Sequence, residues 1–281
     1  MQTLAFESHD APTISMSLED TLEPETQRRP SSAVIEAAGV THAGRVRARN
    51  EDAYCVVPDL GFCAVADGLG GRAAGDVASE MAIREAQRFL VGATLGGAVL
   101  RLGAPTGLAD LLVGAVLAAN DAVHAASLAE DRLSGMGTTF VGLLVAGGRV
   151  AIAHAGDSRA YRIRDGRAGR LTVDHSMREL YLQLYGDRAR PEIAERNASI
   201  LTRVVGAQPH VRPDVTTCAA EPGDVFLLCS DGLWSLVSDE EIAFTLAGAP
   251  TLETALAKLL ATAHNRGAHD NVTAVLVRCA G

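Results

Sequence analysis

Apolar residues recur along most of this chain in runs of strand length, broken by glycine and aspartate. The runs 33–44 (AVIEAAGVTHAG), 61–67 (GFCAVAD), 138–147 (TTFVGLLVAG), 149–156 (RVAIAHAG), 160–166 (AYRIRDG), 211–220 (VRPDVTTCAA), 224–230 (DVFLLCS) and 271–279 (NVTAVLVRC) predict strands. Gly147-Gly148 and Asp165-Gly166 join neighbouring runs and supply the backbone freedom of tight hairpins. Three segments carry a helical period instead. Over 76–91, Ala82, Ile83, Ala86, Phe89 and Leu90 fall on one stripe. Over 108–126 the stripe is Leu108, Leu111, Leu112, Ala115, Val116, Ala119 and Val123, and over 251–264 it is Leu252, Leu256, Leu259 and Leu260. Hairpin-linked strands with helices arriving in pairs predict an α+β fold of antiparallel sheets covered by helices, not the βαβ alternation of a doubly wound sheet.

The first 32 residues break the pattern. They hold Glu7, Asp10, Glu19, Asp20, Glu23 and Glu25 among serines, threonines and prolines, too little apolar surface to offset the entropy of ordering. We expect a flexible acidic tail over 1–32 and one domain over 33–281, with no internal repeat. The chain has 281 residues, is 48% apolar and carries a net charge of −9, so it lacks the basic surface that nucleic acid or anionic lipid requires. Only Lys258 among the 25 basic residues is a lysine. The five cysteines (Cys55, Cys63, Cys218, Cys229, Cys279) form no C-x-x-C pair and sit in apolar runs, the setting of reduced core thiols. No secretory leader and no stretch near the ~20 apolar residues of a bilayer span is expected; the expectation is a cytoplasmic monomer.

Four aspartates stand where apolar runs begin or end. Asp52 closes RARNED (47–52), Asp67 follows FCAVA and opens DGLGG, Asp231 follows DVFLLCS, and Asp270 precedes Asn271 and VTAVLV. Any one Asp before Gly is usually a turn residue. Recurrence in four distant segments is different, because clustered carboxylates repel unless a cation compensates them. Oxygen donors of this kind suit Mg²⁺ or Mn²⁺.

RARNED, VADGLGGRAAG (65–75), GMGTT (135–139), HAGDSRAY (154–161), LTRVVG (201–206), CSDGLW (229–234) and HDNVT (269–273) occur in this order. Together they resemble the bacterial branch of the metal-dependent protein phosphatases (type 2C, the PPM family). The resemblance spans about residues 40–278. It implies a four-layer α-β-β-α sandwich with metals in a cleft at one edge, and hydrolysis of phosphoserine and phosphothreonine in proteins. By the same resemblance Asp67 bridges two ions, the Gly68 carbonyl binds one of them, and Asp231 and Asp270 complete the other. Asp52, with Glu51 behind it, holds metal-bound waters, and Arg47 grips the substrate phosphate, while Arg45 and Arg49 read as surface charges. A hydroxide bridging two metals roughly 3.5–4 Å apart would attack phosphorus in line.

Two positions depart from the family pattern. Leu69 stands where eukaryotic relatives often place a histidine discussed as the general acid, so the proton donor is unassigned. Ser134 stands where many relatives carry an acidic ligand for a third metal, so two ions of Mn²⁺ or Mg²⁺ are expected and a third site is in doubt. Asp157 and Arg159 read as a buried turn network, Thr138 and Thr139 as structural, Trp234 as core, and His154, His175 and His269 as structural histidines. A catalytically silent binding module and a small-molecule phosphatase are the competing readings; retention of all four aspartates and Arg47 weighs against the first. A cognate serine/threonine kinase is the counterpart that the resemblance implies.

Overall fold

The computed structural model describes residues 35–69, 74–95 and 105–279; the acidic segment 1–32 lies outside them. Chain order begins with β1 (Ile35–His42), β2 (Asp52–Val57), β3 (Phe62–Leu69), α1 (Gly75–Leu95) and α2 (Pro105–Ala129). Then come β4 (Gly137–Thr138), β5 (Phe140–Ala146), β6 (Arg149–Ala155), β7 (Arg159–Arg164) and β8 (Arg167–Arg170). Two short helices, α3 (Met177–Tyr185) and α4 (Pro191–Arg196), precede β9 (Asp214–Ala219) and β10 (Val225–Cys229). The chain closes with α5 (Asp231–Trp234), α6 (Asp239–Ala247), α7 (Leu252–Asn265) and β11 (Val272–Cys279).

Two antiparallel sheets stack face to face. One runs β1-β11-β10-β7-β8 and the other β2-β3-β5-β6-β9, with β4 hung on β3. Side-chain alternation explains the sequence of β3. Phe62, Ala64 and Ala66 point to α1 and α2, whereas Cys63 and Val65 meet Phe226, Leu228 and Val275 between the sheets. A strand covered on both faces reads as an unbroken apolar run. The opposite outer face packs Tyr161, Leu227 and Leu276 against Ile242, Leu256 and Leu259 of α6 and α7. The result is the helix–sheet–sheet–helix sandwich anticipated above. Both expected hairpin turns form, with positive φ at Gly147 and Gly148 and at Asp165 and Gly166.

Three expectations need correction. Residues Gly107–Ala129 of α2 do reach the length and apolarity of a membrane span. In the fold its stripe of Leu108, Leu112, Val116 and Val123 is buried in the core shared with α1, β3 and β5, and Asp110 and Asp121 occupy the exposed side. Phe89 is not an inward residue of α1: it is 37% exposed and lies sideways across Gly114, where an added Cβ would come within 2.5 Å of its ring. Trp234 is half-buried in the wall of a cleft, as described below.

Candidate active site

The four strand-end aspartates converge because antiparallel neighbours bring one strand's start beside the other's finish. Asp52 opens β2 and lies directly across from Asp67 of β3. Cys229, at the end of β10, pairs with Ala274 near the start of β11, so Asp231 and Asp270 emerge at the same end.

The backbone around Asp67 is clamped by the GMGTT segment. Its N–H donates to Thr139 Oγ1 at 2.9 Å, and its carbonyl accepts from Thr138 Oγ1 at 2.9 Å and from the Thr139 N–H at 2.8 Å. Thr139 Oγ1 also lies 2.7 Å from Ser158 Oγ. These threonines are positioning groups, as the sequence indicated. The Gly68 N–H donates to the Glu51 carbonyl. A side chain on Gly75 would come within 2.9 Å of the Gly68 carbonyl oxygen and 3.0 Å of Glu51 Cδ; glycine keeps that approach open. Asn271 ties the remaining loops together: its Oδ1 accepts from the Glu51 N–H, and its Nδ2 donates to the carbonyls of Ala43 and Arg49.

Arg47 sits at the mouth. Its Nη2 donates to Asp270 Oδ2 at 2.8 Å, with both side chains partly exposed. This pair holds the Arg47 pKa above its ordinary value, and the charges of Glu51 and Asp231 add to the effect.

Electrostatics identify this corner as strained when no cation is present. Burial, then hydrogen bonds from Thr273 and Ser230 in opposition, then the charges of Asp231 and Asp270, leave Asp52 pushed up to about 7. Burial and the neighbouring Asp52 and Asp231 raise Asp67 well above the ordinary carboxylate range. Burial and Asp270 push Asp231 up to about 6, opposed by its hydrogen bond with Asp67. Burial and Asp76 raise Glu51. Ser230 Oγ donates to Asp52 Oδ2 at 2.7 Å, but Asp52 Oδ1 and Asp231 Oδ1 are buried without a hydrogen-bond partner. Native interiors rarely tolerate two such orphans in one place.

Among the described residues no three carboxylate, imidazole or thiolate groups already form a closed ligand set. Orphaned carboxylate oxygens, a reachable glycine carbonyl and donors that are all oxygen fit a hard divalent cation that retains several waters. Asp67, Gly68, Asp231, Asp270 and Asp52 are therefore brought to one corner, with Arg47 beside them.

Asp157 sits, as expected, in a partly buried turn between β6 and β7. Burial and the charge of Asp231 push Asp157 up to about 7, and the two line the same cleft. Arg159 keeps its expected structural place. It donates to both oxygens of Asp174 at 2.9 and 2.7 Å and stacks 3.5 Å from the Trp234 ring centroid, while Trp234 Nε1 donates to the Asp157 carbonyl at 3.0 Å. Together with Arg178, Glu195 and Asp231 these residues line a cleft of ≈ 480 Å³. His154 stacks on His175 and pairs with the Val173 carbonyl at 2.8 Å, and His175 bridges Asp214 and Arg203; both are structural. His269 is exposed.

A family model described as Protein phosphatase 2C matches residues 39–277. The chain is 36% identical over 247 residues to the serine/threonine protein phosphatase PstP of Mycobacterium tuberculosis, covering 86% of this chain and 45% of that protein. It thus spans about half the length of PstP. It is 33% identical over 240 residues to the serine/threonine phosphatase stp of Listeria monocytogenes, covering 84% of this chain and 93% of that one. Among solved structures, the catalytic domain of PstP in complex with two manganese ions superposes with a TM-score of 0.75 at 35% identity, covering 88% of this chain and 99% of that one. Stp1 from Staphylococcus aureus gives 0.78 at 30% identity, covering 88% and 96%.

Proposed function

We propose that this chain, which belongs to the protein phosphatase 2C family, is a metal-dependent serine/threonine protein phosphatase acting on phosphoproteins, including those of a cognate kinase. The observation that carries the proposal is the convergence of Asp52, Asp67, Asp231 and Asp270 at one corner, two of them with orphaned buried oxygens, beside an arginine whose fork is only partly engaged.

Asp67, the Gly68 carbonyl, Asp231 and Asp270 would hold two divalent ions, with Asp52 and Glu51 supporting from behind. Mn²⁺, as bound by PstP, or Mg²⁺ suits these oxygens. When bound, such ions supply an activated water and neutralise charge at phosphorus.

The chain's own residues do the rest. Arg47 uses one nitrogen on Asp270, so its other donors remain to orient and neutralise a phosphate. Thr138 and Thr139 fix the Asp67 backbone, which limits reorganisation when the ligands engage. Trp234 and Arg159 form one wall of the adjoining cleft and give a peptide an amphipathic surface. The site corner is water-accessible at Arg47 and Asp270, as a macromolecular substrate requires.

The test is phosphate release from a phosphothreonine peptide, with chelator and with added Mn²⁺, run beside a small aryl phosphate. Turnover of the peptide only with metal supports the proposal. Turnover confined to small esters, or none at all in metal-loaded protein, would overturn it.

A further inference from the structure

The β7–β8 hairpin carries a surface that phosphoryl chemistry does not use. Strand alternation places Arg162 and Arg164 on one face of β7, and the register sets Gly169 opposite Arg162 and Arg167 opposite Arg164. Three arginines therefore share a face, and the glycine between them leaves room. They line a cleft of ≈ 730 Å³.

Arg164 is fixed: its Nε and Nη2 donate to the two oxygens of Asp224 at 2.6 Å, and Nη1 to Glu221 at 2.5 Å. No carboxylate pairs with Arg162 or Arg167 among the described residues. Arg162 is half-buried beside Cys218 and the Asp224 carboxylate, whereas Arg167 is exposed; in a chain of net charge −9, arginines still outnumber the single Asp165 in the lining of this cleft.

The other face of β8 presents Ala168 and Arg170. Ala168 lines a second hollow of ≈ 420 Å³ whose floor is Ala243, Ala247 and Phe244 of α6, with Arg167, Asp239 and Glu240 at its rim. Phe244 is 83% exposed, the most exposed large apolar side chain among the described residues. Between the two hollows runs β8, the last strand of its sheet. An edge strand offers unpaired backbone groups to an incoming strand, and alternate side chains of that strand then fall on opposite faces.

We propose that the β8 edge is a docking site for an extended segment of a partner protein whose side chains alternate between acidic and apolar. Acidic side chains enter the arginine cleft, apolar ones cover Ala168 and Phe244, and the backbone pairs with β8. The short strand and its arginines disfavour indiscriminate edge pairing, so selectivity comes from charge.

The site lies at the end of the sheet remote from the acidic cluster. From Arg159, beside Trp234, to Arg164 is five residue steps, or roughly 17 Å at strand rise. Beyond Arg170 the chain runs back to Asp174 in the cleft next to Asp231. A docked segment is thus aligned with the path to that cleft. That the partner is a phosphoprotein substrate rests on the phosphatase reading; the docking itself does not.

The experiment uses the full chain and a fluorescein-labelled octapeptide of alternating glutamate with leucine or valine, read by fluorescence anisotropy. Arg162→Glu with Arg167→Glu should weaken binding by at least about tenfold, as loss of two charge-assisted contacts implies. Phe244→Ala, on an exposed helix face and safe for folding, should weaken it several-fold. A peptide N-methylated on the residues whose N–H faces β8 should lose binding. Fusing the segment to a phosphothreonine peptide should lower KM for that peptide, an effect lost in the arginine variant. If charge reversal leaves anisotropy unchanged, or the N-methylated peptide binds as well as its parent, the proposal fails. Because anisotropy needs no turnover, an inactive enzyme would leave the docking result readable by itself.

Discussion

Replacing Arg47 by alanine separates a catalytic role from a structural one. The Arg47–Asp270 contact is short, 2.8 Å, but the two side chains are 55% and 36% exposed. At that exposure solvent screening limits an ion pair to about 0–1 kcal/mol of stability. For a domain of this size, 1 kcal/mol moves the thermal midpoint by roughly 2–4 °C, so Arg47→Ala should shift Tm by no more than a few degrees. The functional loss should be larger. A charge-assisted contact to phosphate contributes about 1.5–3 kcal/mol, or roughly 10- to 150-fold in kcat/KM. Arginine meets the phosphate in both the ground and transition states, so KM should rise and kcat fall together. Arg47→Lys keeps the charge without the planar fork and should fall between the two. The assay is steady-state hydrolysis of a phosphothreonine peptide in saturating Mn²⁺, with Tm measured on the same samples. Unchanged kcat/KM in Arg47→Ala would refute the assignment. A drop in Tm large enough to explain the lost activity would show that Arg47 serves mainly to hold Asp270.

Three further outcomes follow from the acidic corner. Asp231→Asn should reduce turnover by orders of magnitude, yet leave metal-free protein as stable as the parent or more so, because it removes one charge from a repelling, partly orphaned group; a lower metal-free Tm would contradict this. Thr139→Val leaves the buried Asp67 N–H without its acceptor, a loss of about 1–3 kcal/mol, so Tm should fall by several degrees and the Mn²⁺ concentration giving half-maximal activity should rise. Folded pKa values of Asp52 and Asp231 lie near 7 and 6, above the ordinary 3.8, so the folded metal-free chain holds protons that the unfolded chain releases. Its stability should be greatest below about pH 4 as far as these groups are concerned, and decline as pH rises towards 7. The Tm gain on adding Mn²⁺ should accordingly be larger near neutral pH than near pH 5.5, and an equal gain at both would count against a carboxylate cluster.

The parts of this structure legible in the sequence are those where one physical pattern dominates. β3, β5, β6, β10 and β11 are covered on both faces, so their apolar runs stood out. β2 did not, because DAYCVV mixes a buried aspartate with half-buried residues. The arginine-rich β8 escaped notice because an exposed edge strand need not be apolar. α6 carried a readable start signal, the capping box of Ser238 and Glu241, masked by the weak amphipathicity that leaves Phe244 outside. α3 buries no residue and so has no strong periodicity to reveal. Asp157 was legible as a buried turn residue but not in its charge environment, which depends on Asp231, 74 positions away in the sequence.

Convergence of the aspartates is the step that local pattern could not supply, and the register explains it. Each lies at or just beyond a strand terminus: Asp52 opens β2, Asp67 lies near the end of β3, Asp231 follows β10 and Asp270 precedes β11. In an antiparallel pair the end of one strand adjoins the start of the next, so each hairpin or sheet pair delivers two carboxylates to the same rim. Stacking of the two sheets then joins the pairs. Gly232 shows how closely: a side chain there would collide with the Asn271 carbonyl, and Asn271 in turn holds the Glu51 N–H and the loop that carries Arg47. The site is therefore a product of register as much as of residue identity. A one-residue slip of β10 against β11 would turn Leu227 and Leu228 to each other's faces and carry Asp231 out of reach of Asp67. Burial of Phe226 and Leu228 between the sheets, and of Leu227 under α7, prevents that slip, so the same alternation that builds the cores sets the spacing of the acids.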